Sequence, residues 1–202
     1  MPERLKSPRL RLFVALDLPD AVVGPLADWS ERRLGAVPGA RFASRASLHV
    51  TLVFLGYQYE RDVERIARLC FQEPAGPFGL QALEITGVPP RRPRLYAVGL
   101  DDAEGALAAW QGQLATRLHA ARLYEPEKRP FWAHVTLVRG KRDRALPRLD
   151  EPPGLPEELT RPFVAQRATL YRSTLTPRGA VYDPLAEMEL ARTARATWRR
   201  MQ

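Results

Sequence analysis

The sequence is poor in the residues that most often build redox and metal chemistry. Of its 202 residues one is cysteine, Cys70, and three are histidine. A lone thiol excludes an internal disulfide and any thiolate cluster for zinc. Its place in the series Val63, Ile66, Ala67, Cys70, at helical spacing, reads as core. No apolar run approaches the length needed to span a bilayer, and the opening Met-Pro-Glu-Arg-Leu-Lys-Ser lacks the apolar stretch of a signal peptide. A cytoplasmic protein without membrane contact is the expectation. Neither a Gly-x-x-x-x-Gly-Lys loop nor a lysine nucleophile motif for ATP-driven ligation is present.

What is plentiful is arginine. Thirty-one basic against 23 acidic residues give a net charge of +8, a field that attracts phosphate backbones. An alanine-, proline- and arginine-rich composition also follows from a G+C-rich genome, so the charge permits a polyanionic substrate without naming one. With 45% hydrophobic residues the chain suffices for one substantial domain or two small lobes sharing a core.

The most informative feature is a repeat. Leu48-His49-Val50-Thr51-Leu52-Val53-Phe54-Leu55-Gly56 shares the string His-Val-Thr-Leu-Val with Ala133-His134-Val135-Thr136-Leu137-Val138-Arg139-Gly140, 85 residues on. Each copy is short, apolar and β-branched and ends at glycine, as a strand and its turn do. Alternation puts His49 and Thr51 on one face with Val50, Leu52 and Phe54 on the other; His134 and Thr136 likewise oppose Val135 and Leu137. An imidazole beside a hydroxyl on a potentially buried face needs partners. Two such pairs across a cleft would surround one small anion with two titratable groups and two donors.

These strands resemble the paired His-x-Thr-Leu motifs of the 2H phosphoesterases, and most closely their RNA 2′,3′-cyclic phosphodiesterases, once called 2′-5′ RNA ligases. Similar matches are Arg11 through Pro19, Arg94 through Leu100 and Leu170 through Ser173, so the resemblance covers roughly residues 10 to 190. Ala133 departs from the proline the family often has there, which would shape the strand's entry and not react. The resemblance implies a fold in which the motif strands meet at the bottom of a cleft between two lobes related by an approximate two-fold.

Along the chain, residues 1–9 read as a basic lead, 10–190 as a single bilobal domain and 191–202 as a basic tail. Leu10, Leu12, Val14 and Leu16 alternate with Arg11, Phe13, Ala15 and Asp17, a strand with one strongly apolar face. Asp20 caps a helix to about Leu34, with Pro25 awkward inside it, and Arg41 to Ala43 form a brief strand. Glu60 to Phe71 is an amphipathic helix, Phe78 to Ile85 and Arg94 to Leu100 are strands, and Asp101 or Asp102 caps a helix to about Arg122. The second motif strand spans Phe131 to Arg139. Five prolines between Ala145 and Pro162 suggest a linker or lid. Phe163 to Leu175 and Gly179 to Leu190 close the domain as a hairpin. Strand-helix-strand units thus occur twice, each with one motif strand, which fits an α+β protein of two related lobes, each a mainly antiparallel sheet with helices on its outer face.

Opening a cyclic phosphate needs a water activated on one side of phosphorus and a proton for the leaving oxygen on the other. Two imidazoles suit this, since an unperturbed pKa near 6.5 lets one be neutral and the other charged. The residues alone leave either assignment open. The resemblance implies His49 as proton donor and His134 as acceptor, a 2′-phosphate product, and Thr51 and Thr136 donating to the non-bridging oxygens. It also matches Arg139 to the basic residue after the second motif, although on alternation Arg139 faces away from His134 and would need a twist or bulge to reach phosphate. No metal or other cofactor is expected, and weak 2′-5′ ligation would be the reverse of diester opening. The expected partner is RNA with a 2′,3′-cyclic end or a cyclic nucleotide, acted on by a monomer. Alternatives are a phosphodiesterase for another small cyclic phosphate or a 2′-5′ linkage, and a binding module that keeps the cleft without turnover. His119, near a helix C-terminus, takes no catalytic role. Phe13, Tyr96 and Trp132 are candidates to stack on a base, with core or rim packing the plainer reading.

Overall fold

The computed structural model describes residues 8–141, 144–177 and 179–190. The lead before residue 8 and the basic tail lie outside the described residues. Nine strands form one antiparallel sheet in the order β7-β4-β5-β6-β3-β1-β8-β9, with β2 beside β6. They are β1 (Arg9–Asp17), β2 (Ala40–Phe42), β3 (His49–Tyr59), β4 (Phe78–Val88), β5 (Leu95–Asp101), β6 (His134–Gly140), β7 (Phe163–Ala165), β8 (Arg167–Thr176) and β9 (Gly179–Glu189). Among the described residues four α-helices accompany them: α1 (Asp20–Leu34), α2 (Val63–Phe71), α3 (Ala106–Ala120) and the short α4 (Glu157–Thr160).

The sheet has two halves. One holds β1, β3, β8 and β9, the other β2, β4, β5, β6 and β7. Between β3 and β6 the described ladder is a single residue pair, Val50 with Val135, the centre of each motif. Both valines are fully buried, so the apolar side of this seam is core and the opposite side carries the polar motif residues.

Both motif strands bulge at the same place. On β3 the partners of Ala15 and Val14 are Thr51 and Val53, leaving Leu52 unpaired; on β6 the partners of Ala97 and Tyr96 are Thr136 and Val138, leaving Leu137 unpaired. A bulge inserts one residue and reverses the alternation beyond it. Leu52 and Val53, and equally Leu137 and Val138, therefore all point into the core. Phe54 and Arg139 come round to the histidine face.

The helices pack by their apolar stripes. Leu107, Trp110, Leu114 and Leu118 of α3 and Ile66, Ala67, Cys70 and Phe71 of α2 are buried, and the two helices contact each other. Burial pushes the Cys70 thiol up to about 12, as an inert core group would be. Two caps differ from expectation. Pro19, not Asp20, holds the N-cap position of α1, its carbonyl accepting from the Val22 and Val23 N–H groups, and Pro25 is accommodated within the helix. Helix α3 starts four residues past Asp102, whose carboxylate accepts the Ala108 N–H at 2.8 Å.

The proline-rich stretch is a strap and not a lid. The Leu146 N–H donates to Pro93 O at 2.6 Å, the buried Tyr96 hydroxyl donates to Pro147 O at 2.6 Å and accepts from the Leu149 N–H at 3.0 Å, and Leu159 of α4 is buried. The expected strand from Phe163 to Leu175 divides at Gln166. Its first part, β7, pairs with β4 in one half, and its second, β8, pairs with β1 in the other.

Candidate active site

One cavity of about 150 Å³ opens over the seam, lined by Arg11, Phe13, Ala43, Ser47, His49, Thr51, Phe54, His134, Thr136, Arg139 and Tyr182. All five residues singled out in the sequence, His49, Thr51, His134, Thr136 and Arg139, meet there. The antiparallel pairing at Val50 and Val135 puts the His49 end of one motif beside the Thr136 end of the other. Each half thus contributes an imidazole, a hydroxyl and, past its bulge, a third side chain: Phe54 from β3 and Arg139 from β6. The bulge at Leu137 supplies the change of face that plain alternation denies Arg139, and the one at Leu52 corrects the expected core placement of Phe54, which is 40% exposed.

The two imidazoles are held alike. His134 Nδ1 donates to Trp132 O at 2.8 Å, which leaves Nε2 facing the cavity as an acceptor. His49 bonds the Ser47 backbone, also two residues back, and its Nε2 lies 3.1 Å from Thr51 Oγ1. Aromatic rings fix both planes. Phe13 stacks on His49 with centroids 4.9 Å apart and Tyr182 meets it edge-on at 5.4 Å; Trp132 stacks on His134 at 4.3 Å. Gly99 is the register partner of His134, and the Trp132 indole lies over its bare Cα, 3.4 Å from where a Cβ would sit. Phe13 is buried, as is Tyr96, which lies outside the cavity; Trp132 is partly exposed at the rim.

Burial dominates the titration of both rings. Dehydration lowers His49 to about 4, against the opposing pull of Asp17 and the Ser47 bond and with the help of the Arg139 and His134 charges. His134 is lowered too, chiefly by dehydration and then by Arg139, with the Trp132 bond and Glu127 working the other way. Near pH 7 both are therefore neutral in the free protein.

Asp17 was not singled out in the sequence. It is the register partner of His49 on β1, is buried, and accepts from Arg167 Nε at 2.6 Å, Thr169 Oγ1 at 2.7 Å and the Tyr171 hydroxyl at 2.9 Å. Burial and the Asp17 charge together raise Tyr171, keeping it a phenol and a donor. The signal was present in the alternation of β1: the residues between its apolar ones, Arg11, Phe13 and Asp17, include two that line the cavity and one that backs it.

No family model matches the chain. A curated RNA 2′,3′-cyclic phosphodiesterase of Aeropyrum pernix is 30% identical over 158 residues, covering 74% of this chain and 85% of that protein. The chain belongs to the RNA 2′,3′-cyclic phosphodiesterase family. As a phosphodiesterase of that family it also matches the Archaeoglobus fulgidus protein of the same name at 29% identity, over 89% of this chain and all of that one. Among solved structures, Escherichia coli LigT complexed with 3′-AMP shares the fold at a TM-score of 0.76 and 23% identity, over 91% of this chain and 99% of LigT. A Thermus thermophilus protein does so at 0.74 and 25%, over 91% of this chain and all of that one. Among the described residues no helix is long and apolar enough to cross a membrane.

Proposed function

We propose that the protein hydrolyses 2′,3′-cyclic phosphodiester ends of RNA to 2′-phosphomonoesters. The observation that carries this reading is the meeting of two His-x-Thr pairs, one from each half of the sheet, in one cavity. His134 Nε2 takes a proton from water as the water oxygen bonds to phosphorus. The bond from phosphorus to O3′ breaks, and O3′ takes its proton from His49 Nε2. The product carries a 2′-phosphate and a free 3′-hydroxyl. Thr51 and Thr136 donate to the non-bridging oxygens, and the Arg139 guanidinium balances the charge that builds there.

The Nδ1 bond to Trp132 makes His134 Nε2 an acceptor, as the Ser47 bond does for His49, so the roles are divided by what lies behind each ring. His49 has Asp17 behind it to help hold an imidazolium, which favours it as the donor. Loading that proton at pH 7 costs about 4 kcal/mol in the free protein, since His49 sits at about 4. The negative phosphate offsets this cost once bound. In 2′-5′ ligation a 5′-hydroxyl takes the place of water: its oxygen bonds to phosphorus, the bond to O3′ breaks, and the same two imidazoles take and give the protons, so no other site is needed.

The test is product analysis of a 2′,3′-cyclic nucleotide and a cyclic-ended oligonucleotide in EDTA. A 2′-phosphate product is expected. Activity that survives in the His49→Ala, His134→Ala double variant, or a 3′-phosphate product, would overturn the assigned roles, and binding without turnover would make the chain a binding module.

A further inference from the structure

Two guanidinium groups line the cavity, and the proposed chemistry uses only one. Arg139 follows His134 and Thr136 past the bulge of β6. At the matching place on β3 stands Phe54, and the guanidinium carbon of Arg11, from the neighbouring β1, lies 4.5 Å from the centre of that ring. The second wall thus presents a guanidinium from its own motif strand, and the first presents one laid over a ring. Arg11 is anchored from behind, Nη1 donating to the buried Ser173 Oγ at 2.6 Å. Among the described residues neither Arg11 nor Arg139 has a carboxylate within ion-pair distance. With five N–H donors on the fork and one spent on Ser173, Arg11 keeps most of its donors for an anion.

Its place along the strands differs from that of the motif residues that line the same cavity. The register of β1 on β3 sets Asp17 opposite His49, Ala15 opposite Thr51, Phe13 opposite Phe54 and Arg11 opposite Tyr57. Arg11 therefore reaches in from the far end of the strand pair, over Phe54, beyond the threonine as counted from the histidine. Arg139, in contrast, presses on the proton affinity of both imidazoles. What distinguishes an RNA end from a free cyclic nucleotide is one more phosphodiester, on the 5′ side of the terminal nucleotide.

We propose that Arg11 binds that phosphodiester and makes the enzyme select RNA ends over cyclic mononucleotides. The assignment rests on the hydrolysis proposed above. Its test compares two cyclic-phosphate-ended dinucleotides, one joined by a phosphodiester and the other by an uncharged methylphosphonate, with a cyclic mononucleotide as the check on hydrolysis itself. The native protein is expected to favour the charged link in kcat/KM by about tenfold, the size of one charge-assisted contact at a partly exposed site. In Arg11→Gln that ratio falls to near one, and Arg11→Lys restores part of it at low salt. The ratio isolates the link from any general loss of activity or folding. A native ratio of one, or a ratio unchanged in Arg11→Gln, overturns the role of Arg11. Failure of the native protein on all three substrates overturns the hydrolysis reading instead.

Discussion

Val50 and Val135 face each other across the seam between β3 and β6, and theirs is the one described pair joining those strands. Each sits between the histidine and the threonine of its own motif. The spacing of the two imidazoles is therefore set by how two buried valines pack. Val135→Ala is expected to destabilise the protein by about 2 kcal/mol through the cavity it leaves. It should also lower kcat more than a valine deleted elsewhere in the core. Urea unfolding together with turnover would show this, and a variant as unstable as expected but fully active would refute the link to geometry.

Single removal of either imidazole should cost about 10²- to 10⁴-fold in kcat, the usual worth of a positioned acid or base. The double variant should be little worse than the weaker single one, because the two act in one step. Additive losses in rate measurements would mean that the histidines serve separate steps.

Stability should fall with acid in a window set by the histidines. His49 is lowered to about 4 when folded and has its ordinary value near 6.5 when unfolded. The unfolded chain thus binds the extra proton first, and stability grows with pH wherever it does so. The contribution is complete above about 6.5 and is lost as pH falls toward 4, on the order of 3 kcal/mol from this residue. Thermal melts of the native protein and His49→Gln between pH 7 and 4 should converge at the acid end. Parallel curves would contradict the lowered value.

Asp17→Asn leaves Arg167, Thr169 and Tyr171 aimed at an amide in place of a carboxylate. A loss of about 2 kcal/mol is expected from the weakened buried bonds. Since the Asp17 charge raises His49, its removal should lower that ring further. Histidine ring titration by NMR reads the shift directly. A His49 that titrates higher in the variant would reverse the role given to this carboxylate.

Arg139→Gln removes a charge that depresses both imidazoles, so both should titrate higher while kcat/KM falls by roughly 10²-fold for want of transition-state charge balance. Unchanged histidine titration alongside unchanged turnover would place the guanidinium outside the chemistry.

Much of this arrangement is legible in the sequence. The repeated string located four polar side chains of the cavity, because β-branched alternation is a strong signal and duplication made it stronger. The same alternation misled at Phe54 and Arg139, since it assumes an unbroken ladder and nothing in Leu52 or Leu137 announces an extra residue. Arg11 and Asp17 carry no comparable mark in the sequence, because the apolar face of β1 dominates its pattern while its other face bounds the site. The strap from residue 144 onward was hidden for a different reason: prolines report what the backbone cannot do, whereas its attachment depends on the hydroxyl of Tyr96, 51 residues before the carbonyl of Pro147 that it holds.

The half of the sheet that carries His49 draws β1 and β3 from early in the chain and β8 and β9 from late in it. Tyr182 of β9 and the donors Arg167, Thr169 and Tyr171 of β8 thus reach His49 and Asp17 only after the other half has been made. During synthesis on a ribosome the early pair β1 and β3 must wait, the outer edge of β1 unpaired, for the last hairpin to emerge. A chain that ends before β8 holds both histidines but lacks Tyr182, which meets His49 edge-on, and all three donors to Asp17.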